Sequence, residues 1–147
     1  MEKNGGEWKK SAERAFLPSI ADLIDILTID QIKEVLLTDK KSIYAEEMKK
    51  LEHDIDLIIE ENKVQLSARK IRMIIVLAQM NLHIWKCKDK MQEESERYAE
   101  YLTLAHQLNG IRNQIKNMLL DEFGEANKAS KKTNDNTDDL EGWLISI

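Results

Sequence analysis

The sequence predicts an all-α fold, an antiparallel bundle of about four long helices with a flexible C-terminal tail. Three observations predict it. Leu, Ile, Met, Glu, Lys and Ala dominate, while Val occurs three times and Pro once; these are the residues that lose least on entering a helix. Apolar residues recur at spacings of three and four, and strict alternation is absent over most of the chain. The apolar stripes are separated by short polar turns, and short connections make successive helices antiparallel neighbours.

Residues 1–17 read as an N-terminal arm or short helix, with Trp8, Ala12, Ala15 and Phe16 at helical spacing. Pro18 breaks that pattern, and residues 18–123 read as the bundle. Ser19 with Asp22 three places on resembles a capping box. Ile20, Leu23, Ile24 and Leu27 then form one stripe, which rotates at Thr28 to Ile29, Ile32, Val35 and Leu36. Thr28 and Gln31 repeat the capping signal. Residues 19–38 therefore form one continuous or slightly bent helix, or else two short ones meeting near Thr28.

Thr38 to Ser42 is a polar turn, with Ser42 as the expected cap of a helix reaching about Glu61. Its inward residues are Tyr44, Met48, Leu51, Ile55 and Ile58, a 4-3-4-3 spacing suited to antiparallel packing. Ser67 caps the next segment, 68–91. There Ile71, Ile74, Ile75, Ala78, Leu82 and Trp85 line one face, and Met73, Leu77, Met80, Ile84 and Met91 line another. Two apolar faces predict a central, largely buried helix. The last long helix, about 94–122, turns Tyr98, Tyr101, Leu102, Ala105, Leu108, Ile111, Ile115 and Leu119 inward and stops at Gly124.

Residues 124–139 read as a flexible linker, because 125–139 hold no large apolar side chain with which to offset the entropy of ordering. Residues 140–147 read as an apolar docking segment carrying Leu140, Trp143, Leu144, Ile145 and Ile147. Such a segment folds back on its own bundle, inserts into a partner or another copy, in an apolar groove or along a sheet edge, or stays an undocked tail.

Composition removes several function classes. The single Cys87 excludes a disulfide scaffold and a zinc site of several cysteines; between Lys86 and Lys88 it reads as an inert core thiol. The net charge is −5, and Lys and Arg total 22 against 27 acids, with no basic stretch of five; direct nucleic-acid binding is disfavoured. No G-x-x-x-x-G-K-[ST], G-x-G-x-x-G or G-x-S-x-G occurs, which removes glycine-loop nucleotide binding. His53, His83 and His106 are scattered without an H-E-x-x-H, and only His106 lies beside polar residues of interest. Glu52, Asp56 and Glu60 form an acidic ladder that reads as a solvated face. Glu46-Glu47 lacks the third acid of the E-E-x-x-E found in all-α nucleotide pyrophosphohydrolases. Neither cofactor nor metal is expected. No apolar run approaches the ~20 residues of a membrane span, and the first residues lack a signal-peptide core; a soluble, cytoplasmic protein is expected.

The strongest anomaly is polar side chains on core faces. Asn81, Trp85 and Asp89 stack at i, i+4 and i+8 on one helix face. Asn109, Arg112, Asn113 and Lys116 interrupt the stripe of the last helix. Asp22 and Asp25 flank the stripe of the first; Asp22 suits a helix start, and Asp25 calls for a cation such as Lys33 or Arg112. Uncompensated buried charge is costly, so these groups are either paired or exposed. Turned toward neighbouring helices, they form a structural hydrogen-bond network that fixes helix register or line a ligand-binding or catalytic pocket; otherwise they are a solvent-exposed stripe.

The string from Ser19 to Ile29 resembles the S-x-x-D-L-I-D-x-L-T/S-I opening of a group of small bacterial all-α proteins. Two further elements of that group are matched: N-x-x-x-W-x-x-x-[DE] by Asn81, Trp85 and Asp89, and L-N-x-x-R-N by Leu108, Asn109, Arg112 and Asn113. The resemblance spans about residues 18–120. It implies the all-α fold and marks the interrupting polar residues as a shared signature, and it carries no activity with it.

Two readings of function follow. In the first, the chain is a non-enzymatic interaction or assembly protein whose segment 140–147 engages a partner or another copy. In the second, it is a small enzyme or ligand-binding protein with an inter-helix polar pocket. Arg112 and Lys116 would then hold an anionic group such as a phosphate or sugar-nucleotide, and Asp25 or Asp89 would supply acid–base or metal-ligand oxygen.

Overall fold

The structure is a computed structural model that describes residues 17–124, 142, 143 and 145–147. Residues 1–16 of the N-terminal arm, residues 125–139 of the linker, and Leu140, Glu141 and Leu144 of the C-terminal segment lie outside the described residues. Four long helices follow in order: α1 (Ile20–Leu36), α2 (Lys41–Asn62), α3 (Ala68–Glu93) and α4 (Tyr98–Glu122). No strand is present among the described residues. The all-α class and the four-helix bundle are as the sequence predicts.

Helix boundaries follow the capping chemistry. The Ser19 hydroxyl accepts from the Asp22 N–H at 3.0 Å while the Asp22 carboxylate accepts from the Ser19 N–H at 3.0 Å, a reciprocal capping box. Ser67 caps α3 through the Lys70 N–H. Gly124 follows the end of α4 at φ +73, the left-handed conformation in which glycine carries no Cβ penalty. Its N–H bonds to the Asp121 carbonyl at 2.9 Å. The helix α1 is continuous. Thr28 caps nothing; its hydroxyl bonds back to the Asp25 carbonyl at 2.8 Å, satisfied within the helix. Ser42 is not a cap either. A 3₁₀ turn at Thr38–Lys40 leads directly into α2 at Lys41, with no side chain capping that helix.

The core lies between α1, α3 and α4. Ile20, Met73, Leu77, Leu108, Leu119 and Leu120 are its largest fully buried apolar side chains. Among the described residues, the antiparallel hairpin of α3 and α4 has the most extensive helix–helix packing. Its open end is pinned by Arg69 Nε to Glu122 Oε1 at 2.9 Å, and by Lys70 over the Phe123 ring at 5.0 Å. The turn end is held by the Tyr101 hydroxyl donating to Glu94 at 2.6 Å. The helix α2 packs closely against α1 and approaches neither backbone of the hairpin. Of its predicted stripe, Met48 and Leu51 are buried, and Tyr44, Ile55 and Ile58 are half-buried.

Two packing expectations are corrected. The core face of α3 is Met73, Val76, Leu77, Met80 and Cys87, whereas Ile71 and Ile75 are exposed. On the other predicted face Ile74, Ala78, Leu82 and Trp85 are half-buried, because the α2 backbone makes no close approach to α3. Tyr98, expected inward, is exposed at the first turn of α4. Among the described residues, no helix is long and apolar enough to cross a membrane.

Candidate functional site: a polar seam and an apolar seat

Asp25 on α1 is 5 % exposed and is the centre of the polar cluster. The Asn81 amide, from α3, donates to Asp25 Oδ1 and to Thr28 Oγ1, each at 2.8 Å. Arg112, from α4, places Nη1 3.3 Å from Asp25 Oδ2 and donates from Nη2 to Asn113 Oδ1 at 3.3 Å. Lys116, one turn on, sets Nζ 2.6 Å from Asp22 Oδ1 and 3.6 Å from Asp25 Oδ2. The spacing explains the convergence: positions i, i+3 on α1 and i, i+4 on α4 each lie on one helix face.

Two carboxylates meet two cations, so the seam is electrically closed. Burial alone would raise the Asp22 carboxyl. The Lys116 ammonium and the Ser19 N–H and hydroxyl together outweigh that, and hold it below the ordinary carboxylate range. The seam therefore joins all three core helices through charge-assisted hydrogen bonds. One buried atom, Arg112 Nε, has no hydrogen-bond partner.

Of the residues singled out from sequence, the structure brings together Asp22, Asp25, Asn81, Arg112, Asn113 and Lys116. Trp85 and Asn109 are half-buried, and among the described residues no hydrogen bond ties them to the cluster. Asp89 is exposed, a correction: it shares a face with Asn81 but lies two turns on, and a face is covered only as far as its neighbour reaches. Lys33 does not pair with Asp25; its ammonium lies 5.3 Å from the centroid of the Tyr44 ring. His106 is exposed, as are Glu52, Asp56 and Glu60.

Sequence reasoning missed Thr28 and Asp30. Thr28 sits three places after Asp25, on the same face, which was the available signal. Asp30 is 2 % exposed, and its Oδ2 has no hydrogen-bond partner. Burial first, and then the Glu47 carboxyl brought against it by α2, push its pKa up to about 6, with Lys33 pulling the other way. Nothing in the one-dimensional pattern of α1 distinguishes Asp30 from an exposed acid.

Beside the seam, α1, α2 and α3 enclose an open groove of about 790 Å³. Its walls are mainly apolar, with Ile24, Leu27, Met48, Ile74, Ala78 and Leu82 among them. Thr28 is the one seam residue that lines it; Arg112 and Lys116 do not.

A second feature lies along α3. Trp143, Ile145 and Ile147 pack, partly buried, against the hydrophobic core. The Trp143 ring meets His83 edge to face, with centroids 4.7 Å apart. Arg72 donates from Nη1 to the Ser146 carbonyl at 2.9 Å and from Nη2 to the Ser146 hydroxyl at 2.8 Å. Residues 72 and 83 are eleven apart, three turns along one helix face. The segment thus runs antiparallel to α3, from His83 toward Arg72. Gly142, at φ +80, precedes it and supplies a left-handed bend that an L side chain resists. No family model, curated protein or solved structure matches the chain.

Proposed function

We propose that the chain is a non-enzymatic interaction and assembly protein, in which a rigid helical body uses residues 140–147 to engage a partner protein or another copy. The observation that carries this reading is the seat on α3. In the structure residues 143 and 145–147 fold back on this chain's own α3, with side-chain and main-chain contacts at defined positions; on association a partner or another copy receives the same segment, as peptide-recognition surfaces do. Two further observations support it. The charged groups of the seam are paired with one another, and neither of their cations faces the groove. Large apolar side chains remain exposed near the α2–α3 turn: Leu57, Ile59, Leu66, Ile71 and Ile75. The buried free thiol of Cys87, pushed up by burial, suits the cytoplasmic setting that the reading assumes.

The test compares the full chain with one lacking residues 140–147 by light scattering over a concentration series. The reading expects the full chain to associate, with itself or in a stoichiometric complex with a purified partner, and the shortened chain to lose that association while keeping its helical spectrum. Identical mass profiles and identical complexes for the two chains would contradict it.

A further inference from the structure

We infer that α2 is a detachable cover whose hold on α1 is set by one proton shared between Asp30 and Glu47, so that the helix docks in acid and lifts away as that proton is lost. The inference is independent of how residues 140–147 are used.

Three observations carry it. First, α2 is the helix least bound to the others. The seam and the core join α1, α3 and α4, whereas the α2 backbone lies close to α1 and to the turn between them, and not to the hairpin. It buries Met48 and Leu51, with Ile55 and Ile58 reaching the core half-buried. Second, its contact with α1 contains a buried acid. Asp30 is 2 % exposed, its Oδ2 finds no donor, and the Glu47 carboxyl of α2 lies within hydrogen-bonding reach of it. A protonated carboxyl donates to a carboxylate, where two carboxylates only repel. Third, the two helices are of one sign. α2 carries seven acids against three lysines, and α1 carries four acids against Lys33. Asp22 and Asp25 are matched by cations of α4. The charged groups that act on Asp30 are instead Glu47 from α2 and Lys33 from α1 itself, which also faces the Tyr44 ring. Among the described residues, neither α3, α4 nor the turn Thr38–Lys40 adds a charge to these two.

The direction follows from linkage. In the docked state Asp30 keeps its proton up to about pH 6. With α2 lifted, the carboxyl meets water and titrates near its ordinary 3.8. Docking is therefore strongest below about 3.8 and weakens as the pH rises through about 6. The helix also forms one wall of the open groove, where Ala45 and Met48 look across to Ile74 and Leu82 of α3. Its departure uncovers Met48 and Leu51 together with the Ile24 and Leu27 surface of α1, so apolar surface is presented as the pH rises.

The test is hydrogen exchange on the full chain at about pH 5 and about pH 7.5, read by mass spectrometry for peptides of α2, α3 and α4 and corrected for the intrinsic pH dependence of amide exchange. Between the two conditions, protection of α2 should fall roughly tenfold, while that of α3 and α4 stays within about twofold. Asp30→Asn should hold α2 protection level across the same interval. Glu47→Gln, which leaves Asp30 and the core in place, should shrink the fall and serves if the first variant does not fold. Unchanged α2 protection in the parent, or an equal fall in all three helices, would overturn the inference. So would a full pH response surviving in either variant, since it would belong to another group such as the exposed His53 of α2.

Discussion

Asp25 and Arg112 are separated by 87 positions in the chain and lie 3.3 Å apart across the seam between α1 and α4. With Asn81 they tie the first helix to the hairpin formed by the last two. Their side chains are 7 % and 15 % exposed, so the pair operates away from bulk screening, and removing one member leaves a buried charge. Arg112→Met is expected to cost about 2–4 kcal/mol in urea unfolding, moderated by Lys116, which still faces Asp25. In a double-mutant cycle with Asp25→Asn, the combined loss should fall short of the sum by at least 1 kcal/mol. Strict additivity would show that the two groups do not interact.

Ser19 serves both the start of α1 and the charge state of Asp22. Ser19→Ala should cost about 1 kcal/mol, the ordinary value of an N-cap. It also removes one of the two Ser19 donors from the Asp22 carboxylate, the hydroxyl, while the backbone N–H remains. Asp22 is depressed in the folded chain, so its contribution is present above the unfolded value of 3.8 and is lost as the pH falls through the folded one. The variant should therefore lose less stability on acidification than the parent. Unfolding curves from pH 6 to pH 2.5 check this.

Asp30 has the opposite sign. Its folded pKa is raised to about 6 from 3.8. The associated stability is complete below about 3.8 and is lost as the pH rises through about 6. Asp30→Asn is neutral at every pH and should melt above the parent at pH 7.5, by an amount on the order of 1–3 kcal/mol, with no advantage at pH 3.5. A variant that is less stable than the parent at pH 7.5 would show that the ionised carboxylate is favourably held.

Much of this arrangement could be read from sequence because it is local. Ser19 with Asp22, Ser67 and Gly124 mark helix ends through bonds to residues three or four away. The stripes of α2 and α4 follow the helical repeat. What the sequence concealed depends on where a neighbouring helix stops. On α3, the face of Ile71 and Ile75 is as apolar as that of Met73 and Leu77, and periodicity does not rank two apolar faces. Asn81 and Asp89 share a face, yet only Asn81 finds α1 opposite it. Asp30 is buried by α2, and its partner Glu47 is seventeen positions away on another helix. Thr28 carried a capping signal, but it spends its hydroxyl on the Asp25 carbonyl.

Lys63 closes α2 in the left-handed region at φ 50, where its N–H bonds to the Glu60 and Ile59 carbonyls. Side chains with a Cβ adopt this conformation at a cost. Lys63→Gly should raise stability by about 0.5–1 kcal/mol, less the entropy that glycine adds to the unfolded chain. Chemical denaturation checks this, and a loss of stability would mean that the Lys63 side chain makes contacts that outweigh the strain.

The most direct measurement of the central claim, that the seam holds the fold while the seat mediates association, is sedimentation equilibrium on two variants alongside the parent. Arg72→Ala/His83→Ala should keep nearly the parent melting temperature and remain at monomer mass at all concentrations. Arg112→Met should melt lower, yet while folded associate to the extent expected of the parent. Association unchanged in the first variant, or abolished in the folded second one, would contradict this division of labour between the two clusters.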